Sequence, residues 1–248
     1  MEIGFRLMTL LAALRFSVGP AADACDYSRF DVGVHLQIDR SIAAAVDTRV
    51  LKEETSSLWR PYGVDLVWDE ASGDATLERS PLEAIIAPRL PGESAAGNSI
   101  LGQARVTLDG LSRRPILVSF NATQRVLALQ TNRRAAIHSE QDYELARALG
   151  RVLAHEIGHV LLAIPNHDTV GLMRPVFLPN ELGESDRVPF RLTCGAVGRL
   201  RSRIRVIAER RRLANLSGAA DAATAEDING GEEDGAEIMP CVAARTAR

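Results

Sequence analysis

Residues 139–173 read SEQDYELARALGRVLAHEIGHVLLAIPNHDTVGLM, and the architecture of the whole chain follows from this stretch. Leu145, Leu149, Val152, Leu153, Ile157, Val160 and Leu161 recur at three- and four-residue spacing, which is the period of a helix with one apolar stripe. Ser139 followed by Asp142 resembles a capping-box start, and Pro165 is expected to stop the helix at about Ala163. Inside it, His155 and His159 stand at i and i+4, one turn apart on one face, where both imidazoles can reach one metal ion. Glu156 follows the first of them, so its carboxylate leans toward the same ion without taking a ligand position, a geometry that suits a general base. His167 comes eight residues after His159, past Pro165 and Asn166, where the chain can turn back beneath the ion. Neutral imidazoles from His155, His159 and His167 would leave a fourth position open for water, the pattern of catalytic rather than structural zinc.

Upstream of the helix, residues alternate or cluster as strands. Val32, Val34, Leu36 and Ile38 alternate with Gly33, His35 and Gln37, giving one buried face. A helical pattern over about Ser41 to Arg60 ends at Pro61-Tyr62-Gly63. Val64 to Trp68, Leu82 to Ala87, Ile100 to Val106 and Pro115 to Phe120 then read as four further strands, separated by loops rich in Gly, Asp, Ser and Pro. Downstream, residues 191–213 form another helical pattern, with Val197, Leu200, Ile204 and Ile207 on one side and arginines, Arg199 among them, on a face read as solvated.

The order His155-Glu156-Ile-Gly-His159, His167, Gly171-Leu172-Met173 resembles the metzincin clan of zinc-dependent metalloproteases. In that clan an HExxH helix is followed by a third His and by a tight turn whose Met packs under the metal. Met173 is the only methionine between residues 9 and 238, and Ser99-Ile-Leu-Gly-Gln-Ala104 is similar to the clan's edge strand lining the substrate cleft. The resemblance covers about residues 30–212, and its specific part is residues 155–173. It implies a zincin-like α+β fold, in which a mixed five-stranded twisted sheet packs on a long zinc-binding helix and a C-terminal helix follows. The chain departs from the common HExxHxxGxxH pattern: Leu162 stands where the turn Gly belongs, Pro165 where the third His belongs, and His167 two residues later. The helix is therefore expected to exit differently. Pro175 stands where many members have a Tyr.

Composition excludes other classes. A chain of 248 residues, 46% hydrophobic and 25% charged with a net charge of −3, has the profile of a soluble globular protein. It lacks the strongly basic balance of a nucleic-acid binder, and no apolar run is long enough to span a bilayer. Arginine is used almost to the exclusion of lysine, Lys52 being the single one, so arginine-rich faces reflect a general habit and not a selection for phosphate.

At the ends, Arg6, the apolar stretch Leu7 to Leu14 and Ala22-Asp23-Ala24 make residues 1–24 a signal peptide for a secreted or periplasmic protein. Residues 25–213 are then the metzincin-like catalytic domain. From Ala214 to Arg248 seven acidic and two basic residues, with almost no large apolar side chains, read as a disordered acidic tail of charge −5 on a body of charge +2. Of the three cysteines, Cys25 with Cys194 is the preferred pair, since Cys241 lies in that tail. His35 and His138 are read as structural or exposed.

The function expected is a zinc metallopeptidase, in which a zinc-bound water attacks the peptide bond with Glu156 as general base and a peptide or protein substrate lies extended along the strand Ile100 to Val106. A second reading is a non-catalytic, zinc-stabilised binding or assembly protein that has kept the site. A third is another divalent metal, since three imidazoles also suit copper, nickel or iron.

Overall fold

The computed structural model describes residues 29–69, 82–93, 100–106, 114–128, 138–221 and 237–243. The expected signal peptide, residues 1–24, lies outside them. The chain is α+β, and its first five strands fall where period and turn residues place them. β1 (Phe30–Ile38) pairs in parallel with β2 (Val64–Asp69) on one side and β3 (Leu82–Ala87) on the other; β5 (Ile116–Ser119) continues in parallel, and β4 (Ile100–Val106) runs antiparallel to β5. The parallel pair β1–β2 needs a crossover, supplied by α1 (Thr48–Trp59). Asp47 caps α1 by accepting from the Val50 amide at 3.0 Å. The helix expected from Ser41 is thus two pieces, a short 3-10 turn at Ala43–Ala45 and then α1.

α3 (His138–Leu162) is the element on which the rest is laid. From Gly150 to Leu162 every residue is buried, because the helix is covered on all sides by the sheet at β4 and β5, by α1, by α2 (Phe120–Ala128), by α4 (Pro179–Gly183) and by α5 (Cys194–Asp221). Leu149, Val152, Leu153 and Ile157 are fully buried, each contributing about 1.5–3 kcal/mol of transfer free energy. Close approach of α1 is possible because residue 150 is a glycine: a Cβ there would come within 2.7 Å of the Leu51 carbonyl. Across the same contact Thr55 donates its hydroxyl to the Gly150 carbonyl at 3.0 Å, and the Trp59 indole donates to the Ala154 carbonyl at 3.2 Å.

Several expectations are corrected. Among the described residues the sheet has seven strands in the order β2-β1-β3-β5-β4-β7-β6, since β6 (Val176–Phe177) and β7 (Glu237–Ala243) extend the expected five beyond β4. The stretch from Ala214 does not lack structure throughout. Ala- and Leu-containing sequence carries α5 on to Asp221, and β7 orders by adding to an existing sheet edge, which needs no apolar core of its own. Cys194 is a free, exposed thiol at the start of α5, and Cys25, its expected partner, lies outside the described residues. α2 was not expected, because it begins directly at the end of β5 with no turn residue to announce it. No helix among the described residues is long and apolar enough to cross a membrane.

An ion pair sits inside this packing. Arg151, fully buried on α3, donates through Nε to Glu54 Oε1 on α1 at 2.7 Å, and Arg187 donates through Nε and Nη2 to Glu54 Oε2 at 2.9 and 2.7 Å. The remaining Arg151 donors reach the carbonyls of Glu181, Leu182 and Asp186, so one guanidinium holds α3 to α1 and to the loop after Met173. Leaving Glu54 with one cation and three carbonyl contacts broken, Arg151→Ala should lower unfolding free energy by about 3 kcal/mol or more, read as a lower urea midpoint at unchanged slope.

Candidate metal centre

The site begins with two side chains one turn apart on α3. His155 and His159 are fully buried, their rings set edge-on with centroids 4.7 Å apart and their Nε2 atoms 3.0 Å apart. His155 Nδ1 lies 2.6 Å from the Leu172 carbonyl and His159 Nδ1 2.9 Å from the Ile164 carbonyl. A carbonyl only accepts, so each Nδ1 carries the proton and each Nε2 presents a lone pair to the other. Two such lone pairs at this distance repel unless a cation faces both. Ligands of tetrahedral zinc at about 2.0–2.1 Å stand roughly 3.3 Å apart, which is close to the separation found.

His167 completes the group. Its ring is nearly parallel to that of His155, at 5.2 Å and 17°, and perpendicular to that of His159, at 4.8 Å and 85°. Its Nε2 is buried without a hydrogen-bond partner, and ligand nitrogens of all three residues lie within 4.8 Å of one another. These three residues are close enough to bind a metal ion, and among the described residues they are the only such group of three. His35 on β1 stands outside it, and the side chain of His138 lies outside the described residues.

The shifted spacing of the third histidine has a structural cause. Leu162, in the position of the clan's glycine, is 2% exposed and packs in the core, so α3 runs on through it. The left-handed residue that ends the helix is Ala163, with φ of 50°, where the Ile164 amide returns to the His159 carbonyl at 3.3 Å. The exit falls later along the chain, and His167 arrives correspondingly late.

Met173 packs on α3, the helix that carries His155 and His159. It is 1% exposed, and Gly158 lets it rest directly on α3, since a Cβ at 158 would overlap its Sδ. The turn that carries it is pinned at several points: the Asp168 amide donates to the Met173 carbonyl at 2.8 Å, and the Leu172 amide to the Arg191 carbonyl at 3.2 Å. Gly171, with φ of 79°, lies against that same carbonyl with no room for a side chain. Asp168 accepts from Thr193 at 2.6 Å and from Arg199 at 2.9 Å, so Arg199 is not simply part of a solvated face.

Glu156 is fully buried, and neither carboxylate oxygen has a hydrogen-bond partner. It faces β4 at Gly102, where a Cβ would come within 2.6 Å of Oε1. Burial without a partner raises its pKa well above the usual carboxylate range. Burial also lowers the imidazoles: His155 well below its ordinary value, His159 to about 4, and His167 in the same direction. All three are therefore neutral, ligand-ready bases near pH 7. Behind His155 the Phe177 ring stands edge-on at 5.3 Å, stacked in turn at 5.4 Å on Phe190, over which Arg151 lies at 4.4 Å. Gly158, Phe177 and Arg151 had no signal as site residues in one sequence, whereas Gly102 lies in the strand already read as cleft-lining; the contacts of all four are made between distant segments.

No family model, curated protein or solved structure matches this chain.

Two outcomes follow from the geometry. Gly158→Ala should displace Met173 and cost about 1–3 kcal/mol of stability, with weaker metal binding measured by chelator competition. Because the folded His159 binds its proton only near pH 4, the folded site should keep its affinity as pH falls below 6.5 and lose it toward 4. Metal-free protein behaves differently: the unfolded chain takes up the proton first, so stability drops as pH falls from about 6.5 to about 4. Metal titration and urea unfolding across that range check both.

Proposed function

We propose that the protein is an exported zinc metallopeptidase with a zincin-like, metzincin-type centre that hydrolyses peptide bonds in extended substrates. The observation that carries this reading is the buried carboxylate of Glu156, without a partner, next to three converging imidazoles. A structural zinc site closes with four protein ligands, and an orphaned carboxyl beside it would only add a desolvation cost. His155, His159 and His167 would hold the ion, and their neutral nitrogen donor set fits zinc. When bound, zinc supplies a Lewis acid that polarises the scissile carbonyl and acidifies water.

The chain's own residues do the rest. Glu156, with its raised pKa, is suited to take a proton through its carboxylate and pass it to the leaving amine. Gly102 brings β4 close to that carboxylate, so a peptide pairing with β4 by main-chain hydrogen bonds, in the place β7 takes, would pass its reacting carbonyl by Glu156. The loop tied by Arg151, with Phe177 and Phe190, forms the wall beyond His155.

The test is hydrolysis of a mixed peptide library, abolished by a chelator and restored by zinc. Glu156→Ala should still bind one zinc per chain and lose at least about 100-fold in turnover. Equal activity in the variant would remove Glu156 as the base. Zinc bound without turnover would favour the binding or assembly reading.

A further inference from the structure

β7 lies between β4 and β6, the two segments that flank the histidines. It runs antiparallel to β4, with Cys241 opposite Gly102, Gln103 opposite Pro240 and Val106 opposite Glu237, and parallel to β6, with Val242 opposite Val176 and Ala243 opposite Phe177. Both neighbours belong to the site: Gly102 packs on Glu156, and Phe177 on His155. Pro240, which has no amide to donate, falls where β7 has β4 as its only strand partner. We infer that Glu237–Ala243 is an intramolecular occupant of the peptide cleft, and that the full chain is a latent form whose own C-terminal strand must leave before another peptide can bind. The consequence for activity rests on the peptidase reading; the occupancy does not.

Charge and reach both fit. The segment 214–248 carries −5 and the remainder +2, so the tail is attracted to the body it covers. Fifteen residues, 222–236, separate the end of α5 from the start of β7, a contour length of up to about 50 Å. A tethered strand acts at an effective concentration on the order of millimolar, so a free peptide using the same backbone groups competes poorly with it.

The experiment uses the full chain with a specific protease site placed within residues 222–236, zinc-loaded, before and after cutting and removal of the fragment. The probe is a fluorescent peptide with the sequence of residues 235–245. Anisotropy should show it binding at least tenfold more tightly after removal, and amide exchange of Ile100–Val106 should accelerate. Equal binding and equal exchange before and after would overturn the inference. Library hydrolysis is read in parallel. If removal opens the cleft but nothing is hydrolysed, the occupancy holds and the peptidase reading fails. If cut and uncut protein hydrolyse and bind equally, the peptidase reading holds and the latency fails.

Discussion

His155 and His159 on α3 each donate a hydrogen bond from Nδ1 to a backbone carbonyl, His155 to Leu172 and His159 to Ile164. Those two bonds set the tautomer of both rings and aim both Nε2 lone pairs at one point. They also join three segments that are separate in sequence: the helix, its exit turn at Ala163, and the turn that carries Met173. Change in any of the three moves a ring. The helix can hold such groups away from water because each polar atom that does not face the site is satisfied, at net gains of about 0.5–1.5 kcal/mol per bond against larger penalties for leaving it unmade. Among the buried side-chain atoms described on α3 the exceptions are the two oxygens of Glu156, and they, like the unpartnered His167 Nε2, are on the side where chemistry is proposed.

Electrostatics extends this order beyond the histidines. Arg151 is the one buried arginine among the described side chains of α3, and burial lowers its pKa while Glu54 opposes the shift. A buried pair of this kind gives little net stability compared with apolar packing, but it fixes geometry through directed bonds. Here it sets the height of the loop at Glu181 to Asp186 and, through Phe190 and Phe177, the back of the His155 ring. Arg174 adds a second tie, donating to Glu181 at 3.1 and 2.5 Å.

The sequence was most legible where one local period decides the outcome. β1 to β5 fall almost at the expected residues because turn-forming loops separate apolar runs, and α3 because its stripe recurs over about four turns, from Leu145 to Leu161. His155, Glu156 and His159 were legible because spacing on one helix fixes their relation. His167 required knowing where α3 ends, which depends on Leu162 packing in the core. The pairing of Arg151 with Glu54 joins residues 97 apart, and no local pattern records it. β7 was read as lacking structure because its composition cannot build a core. That argument is sound for a segment on its own but does not apply to one that borrows hydrogen bonds from a sheet already present.

The position of β7 has a consequence for solubility. Without it, β4 would end the sheet as a strand of seven residues with its amides and carbonyls facing outward, a template for pairing with any extended segment, including one from another copy of the chain. The groups that would receive a substrate are the same groups that would nucleate aggregation. A strand supplied in cis covers them at every protein concentration, from the most dilute solution to the most crowded, whereas a separate partner would leave them bare whenever it was scarce.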